Sequence, residues 1–256
     1  MKKTFLLGLA VLITCSLSTV VVNAATQGDG DTTSQVITEI SDQDKQSSDS
    51  KLKLTEEYMN RKSMLESYGS YKLMTFPTVK QEQSNWCGPG TAYNVIKGLI
   101  PSSGVSQYDL YRALGTGDPG KGGTPFPGSW LSTLKSYAGN GNNYQAIMGS
   151  SYSTSDWFSK VKNCVIYTVD KGYPVIADTK QDPYGVKLHP KYNYIDSRGA
   201  NGTSTYHYIA VTGYNDTVRG SDSDIYYSDC HTNFNGNYWT KLSTLSSVTK
   251  SLGILW

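Results

Sequence analysis

The pattern of apolar and polar positions separates a polar N-terminal stretch from a body in which helical and strand-like periods alternate. Thr91–Ile96 (TAYNVI) follows a Cys-Gly-Pro-Gly run and predicts a helix. Pro89 is tolerated in its first turn, where a missing N–H has no partner to lose. Ser106–Leu114 reads as a short helix, Ser129–Tyr137 as another with Ser129 as its cap, and Ser155–Asp170 as a longer one. Trp157, Phe158, Val161, Val165 and Ile166 form the buried side of that longer helix. Tyr144–Met148 and the β-branched run Tyr173–Asp178 read as strands. Tyr206–Thr212 alternates as a strand, Gly213–Ser223 turns, and Asp224–Ser228 returns as its partner, ended by Asp229. Gly115–Gly128, rich in Gly and Pro, and the polar Gln181–Thr205 are long loops, of the kind that usually serve function or stay mobile.

The stretch before this body divides in three. Residues 1–24 combine a basic start (Lys2, Lys3), an apolar run from Phe5 to Val22 and a Val-Asn-Ala ending, the pattern of a signal peptide cleaved after Ala24. Residues 25–54 carry few large aliphatics among Asp, Ser, Thr and Gln, a composition that buries too little surface to offset its ordering entropy, and predict a disordered leader. Residues 55–69 predict a helix from Thr55 to Tyr68, with Thr55 as N-cap, Glu56 and Glu57 in the first turn and Gly69 beyond the end. Leu54, Tyr58, Leu65 and Tyr68 line one face of it, suited either to packing on the domain or to a pro-segment. The folded domain is expected over residues 70–256.

Charge and cysteine content narrow the function classes. The formal charge of +2 disappears once Lys2 and Lys3 are removed, so no basic excess remains to hold nucleic acid phosphates. Membrane contact is expected only through the signal segment during export. Cys87, Cys164 and Cys230 remain after export, an odd number in an exported chain. Either Cys164 and Cys230 pair, leaving Cys87 free, or all three are thiols. No CxxC or clustered Cys/His spacing suggests zinc, and no cofactor is expected.

The candidate chemistry centres on Cys87. The start of a helix carries unpaired N–H groups and partial positive charge, which favour a thiolate and lower the cysteine pKa. Gln81, six positions upstream, carries an amide able to donate to a developing oxyanion, with the Cys87 backbone N–H as second donor. His207 opens a strand and can point toward a helix N-terminus as general base and acid, while Asp229 orients its far nitrogen. Asp229 after a strand also suits a turn cap. His231 is the rival base, and His189, before Pro190, reads as a solvated loop histidine.

QEQSNWCGPGTAYNVI at 81–96, HYIAVTGYND at 207–216 and DIYYSD at 224–229 together resemble the papain-like cysteine peptidases. More narrowly, they resemble the double-glycine leader peptidases (peptidase family C39) and their stand-alone C39-like relatives. The resemblance spans roughly residues 70–256. It implies an α+β fold, with an N-terminal helical part carrying the cysteine and a C-terminal antiparallel sheet carrying His and Asp. It also implies that Tyr173–Asp178 leads toward the active site and that Tyr238–Trp256 closes the sheet edge as a short strand and a helix. Papain itself has Asn where the leader-peptidase branch, like this chain, has Asp. The implied activity is that of a secreted or cell-wall-associated peptidase with a Cys87–His207–Asp229 triad and Gln81 in the oxyanion hole, acting on a peptide or protein substrate. Processing of double-glycine leaders fits poorly, because that task belongs to domains fused to transporters inside the cell. Two alternatives stay open: acyl transfer by the same triad, and a weakly active or inactive module whose 20 Tyr and 5 Trp bind cell-surface peptide or glycan.

Overall fold

The computed structural model describes residues 35–65, 69–119, 121–192, 204–217 and 222–256. The expected signal segment lies outside them. The described chain is α+β. Seven antiparallel strands form one sheet: β1 (Tyr71–Leu73), β2 (Ala146–Met148), β3 (Val175–Gln181), β4 (Thr205–Asn215), β5 (Asp224–Asp229), β6 (Gly236–Lys241) and β7 (Gly253–Leu255). Their order is β2-β7-β3-β4-β5-β6, with β1 also paired to β4. Six helices accompany them: α1 (Asp42–Leu65), α2 (Cys87–Leu99), α3 (Gln107–Leu114), α4 (Trp130–Ala138), α5 (Thr154–Asp170) and α6 (Leu242–Thr249).

Side chains alternate across a strand, so the buried strand β4 feeds two cores. Ile209 and Val211 face one core with Trp157, Val161 and Val165 of α5 and Leu245 of α6. Tyr208 and Ala210 face the other with Ile176 of β3, Val95 and Ile96 of α2, Leu110 of α3 and Trp130 of α4. The helix starts follow local chemistry. Ser106 and Asp109 form a reciprocal capping box, and Gly115 ends α3 in the left-handed region at φ 66°. Ser153 caps α5 by accepting from the Asp156 N–H. Ser129 precedes α4 as expected, although its side chain makes no capping bond.

The N-terminal segment departs from the expectation. Residues 35–54 are not a disordered leader: α1 begins at Asp42 rather than Thr55, and the domain includes it. The composition is polar, but its polar groups have fixed partners. Lys51, almost fully buried, donates from Nζ to the carbonyls of Asn142 (2.8 Å), Asn143 (3.0 Å) and Trp256 (2.5 Å). The ammonium also lies over the rings of Tyr144 and Trp256, at 5.8 and 5.4 Å. Ser48 donates to the Ala146 carbonyl, the Trp256 indole to Thr55, and Tyr58 to Asp170. Helix α1 therefore holds down β2 and the chain's last strand, β7, which sits between β2 and β3 and was not expected from the sequence.

Burial pulls the Lys51 pKa from 10.5 down to about 7. Between those values the unfolded chain binds more protons than the folded one, so this group alone makes stability rise with pH across that window. Lys51→Met removes a donor shared by three carbonyls, of which that of Trp256 keeps the Gln145 N–H and that of Asn142 is buried. It is expected to lower unfolding free energy by about 3 kcal/mol or more at pH 7 and to flatten the rise from pH 7 to 9. Urea unfolding at several pH values checks this, and an unchanged midpoint would mean that α1 does not secure the C-terminal strand.

Candidate active site

Cys87 is the first residue of α2, as expected. The preceding residue, Trp86, makes no side-chain capping bond, so the positive end of the helix is left to the cysteine rather than to a capping oxygen. Both flanking glycines answer to close contacts. A Cβ on Gly88 would lie 2.0 Å from Thr124 Oγ1, and one on Gly90 would lie 3.0 Å from Cys230 Sγ and 3.1 Å from Gln81 Cβ. Trp86 stacks on Tyr111 of α3, with centroids 4.9 Å apart. Asn85 Nδ2 donates to the carbonyls of Gly117 and Gly122, both at 2.8 Å. That bond pair ties the Gly115–Gly128 loop to the cysteine motif, so the loop forms a wall beside it.

His207 and Asp229 meet directly: His207 Nε2 is 2.9 Å from Asp229 Oδ1, and both side chains are 0 % exposed. His207 shares its strand face with Ile209, whose partner across β4 and β5 is Asp229. Two further donors hold the carboxylate. Tyr192 Oη donates to Oδ2 at 2.7 Å, and the His231 backbone N–H to Oδ1 at 2.8 Å. Burial pushes the Asp229 carboxyl upward, but His207 and these hydrogen bonds outweigh it and hold the group below its usual value. Because Nε2 faces the carboxylate, proton exchange with any other group runs through Nδ1.

Neighbouring residues join the cysteine and histidine elements. Thr91, one turn along α2, donates to the Tyr208 carbonyl at 2.9 Å, so the start of α2 meets the sheet at the His207 end of β4. Cys230, next to Asp229, directs Sγ at the Cys87 carbonyl (3.5 Å), and its own carbonyl accepts from the Gln81 N–H (2.7 Å). The Gln81 side chain is buried, and its Nε2 donates to the carbonyls of Gln83 (3.0 Å) and Ser84 (2.8 Å), which shape the turn into α2. Cys87 is 2 % exposed.

The two other histidines have packing roles. His231 stacks on Phe234 with centroids 3.9 Å apart, and its Nδ1 accepts from the Asn233 N–H. His189 is half-buried and stacks on Phe234 and Tyr238, which corrects the expectation of a solvated side chain. Cys87, Cys164 and Cys230 form no disulfide with one another. Cys164 lies in the α5 core and Cys230 in the α2 core, so the sheet separates the pair whose bridging was left open. Among the described residues no cluster of three or more His, Cys, Asp or Glu could hold a metal ion, and no helix is long and apolar enough to cross a membrane. Sequence reasoning missed Tyr192, Cys230 and Asn85. Tyr192 lies in a polar loop with no local signal, whereas Cys230 and Asn85 sit beside candidate residues and could have been flagged by adjacency.

The stability supplied by ionised Asp229 is full above the usual carboxylate pKa and is lost as pH falls through the lowered folded-state value. Tyr192→Phe removes one charge-assisted donor. Urea unfolding is expected to register a loss of about 1.5–3 kcal/mol near neutral pH, shrinking as the carboxylate is protonated. A loss independent of pH would mean that the Tyr192 bond does not depend on that charge.

No curated protein and no solved structure matches the chain. The profile described as the Peptidase_C39 like family matches residues 73–251, which include α2, β4 and β5 but neither α1 nor β7. With well over half of its length matched, the chain belongs to the Peptidase C39-like family, a family of papain-like α+β domains.

Proposed function

We propose that the protein is a secreted or cell-wall-associated cysteine peptidase that cleaves a peptide or amide bond with Cys87, His207 and Asp229. Family membership supports cysteine peptidase chemistry in general terms. The observation that carries the residue assignment is the buried His207–Asp229 contact beside the strand end on which α2 docks. In this reading Asp229 fixes the imidazole through Nε2, and Nδ1 takes the Cys87 proton. The thiolate, favoured by the helix N-terminus, attacks the carbonyl carbon of the scissile bond. His207 then returns the proton to the leaving amine as the C–N bond breaks, and water attacks the thioester to release the acid and regenerate the thiol.

The tetrahedral oxyanion requires donors. The Cys87 N–H at the helix start suits this by position. Gln81 serves as the second donor only by giving up one of its bonds to the Gln83 and Ser84 carbonyls, so its role involves a small rearrangement of the turn before α2. The expected partners are peptides or proteins outside the cell, with no nucleic acid and no cofactor.

A proteome-derived peptide mixture, with cleavage read by mass spectrometry, tests the proposal. The wild type is expected to produce new termini, and Cys87→Ala to reduce their rate by roughly a thousandfold or more. His207→Ala is expected to be similarly severe and His231→Ala much milder. Equal activity in Cys87→Ala and wild type would overturn the reading, and a reversed order of the two histidines would reassign the base.

A further inference from the structure

The segment before α1 crosses the wall beside the cysteine motif and places a side chain among buried polar groups. Ile37 bridges Phe126 in parallel, with Phe126 N–H donating to the Val36 carbonyl and Thr38 N–H to the Phe126 carbonyl, both at 2.8 Å. Gly128 N–H donates to Thr38 Oγ1. The side chains of Val36 and Ile37 are 39 % and 40 % exposed. Gln35 reaches inward from it. Its Nε2 lies 2.6 Å from Asp178 Oδ2, 2.9 Å from Tyr208 Oη and 3.2 Å from the Thr124 carbonyl.

These acceptors adjoin the site on both sides. Tyr208 follows His207, and its register partner on β3 is Asp178. Thr124 packs its hydroxyl side against Gly88, the residue after Cys87. Tyr208 Oη donates to the Thr124 carbonyl and so accepts from Gln35. Asp178 is fully buried, yet its Oδ1 has no hydrogen-bond partner. A carboxyl so placed is costly unless a ligand pairs with it. Burial pushes it well above the usual carboxylate range, against the pull of Gln35 and His207. A neutral acid presents one O–H and one C=O side by side, the complement of a primary amide; Gln35 occupies only the acceptor half.

We propose that Asp178, Tyr208 and Thr124 form a specificity pocket for a carboxamide side chain, glutamine or asparagine, of the peptide substrate, and that Gln35 is its intramolecular occupant. This rests on the peptidase reading above. The segment carrying Gln35 lies outside the family match. Its few main-chain bonds to Phe126 allow a substrate strand to take its place on the same wall.

Labelling of Cys87 by tripeptidyl chloromethyl ketones tests this, read by intact mass. The probes carry glutamine, glutamate or leucine at either of the two positions preceding the ketone. Gln35→Ala is expected to raise the rate for one glutamine probe about tenfold over wild type and to label at least about tenfold faster with it than with glutamate or leucine. Asp178→Leu, nearly isosteric and free of the buried acid, is expected to fold and to lose that preference. Rates indifferent to glutamine in a Cys87 that labels faster than free cysteine would overturn the pocket alone. Labelling no faster than free cysteine with every probe would overturn the pocket and the peptidase reading together.

Discussion

The buried Asp229 carboxylate constrains the rest of the site. A charge with no solvent contact persists only if donors surround it, and here His207, Tyr192 and the His231 N–H do so from three segments. The register of β4 against β5 sets the histidine over the acid. A slip of one residue would turn His207 to the opposite strand face, away from Asp229. The single 3-10 turn at Pro190–Tyr192 delivers the phenol, and the stacking of His231 on Phe234 holds the chain after Asp229 so that its N–H points inward. Once that pair is fixed, the orientation of the imidazole is set.

The second constraint is the docking of α2. Its first turn is small because the Cys-Gly-Pro-Gly run must pass between Thr124 on one side and Cys230 and Gln81 on the other. Thr91 then pins the turn to the Tyr208 carbonyl. The glycines thus serve close packing as well as the helix start, and the aromatic stack of Trp86 on Tyr111 secures the approach. The fold brings a helix N-terminus and a strand end together by short-range contacts, with Cys230 linking both motifs.

Signals local to the chain were legible, and those depending on distant partners were not. The capping residues Ser106 and Ser153 and the strand pair carrying His207 and Asp229 lie where pattern and turn chemistry put them. Helix α1 was misread because its polar composition matters less than three carbonyls that Lys51 meets far along the chain. A local clue was present: Ser41 Oγ accepts from the Asp44 N–H and donates to the Asp44 carboxylate at the helix start. Strand β7 is three residues long and gains its place from neighbours on both sides, so no period announces it. Asp178 looked like the end of an apolar strand, and only the fold reveals that it is buried beside His207 and partnered by Gln35.

The account stands on a Cys87 thiolate stabilised by His207. The most direct measurement is the rate of Cys87 alkylation by iodoacetamide from pH 5 to 9, followed by mass spectrometry in the wild type and in His207→Ala. Rapid labelling at pH 5–6 that disappears in the variant is the predicted result. Labelling that rises in both proteins only near the free-thiol pKa of about 8.5 would contradict it.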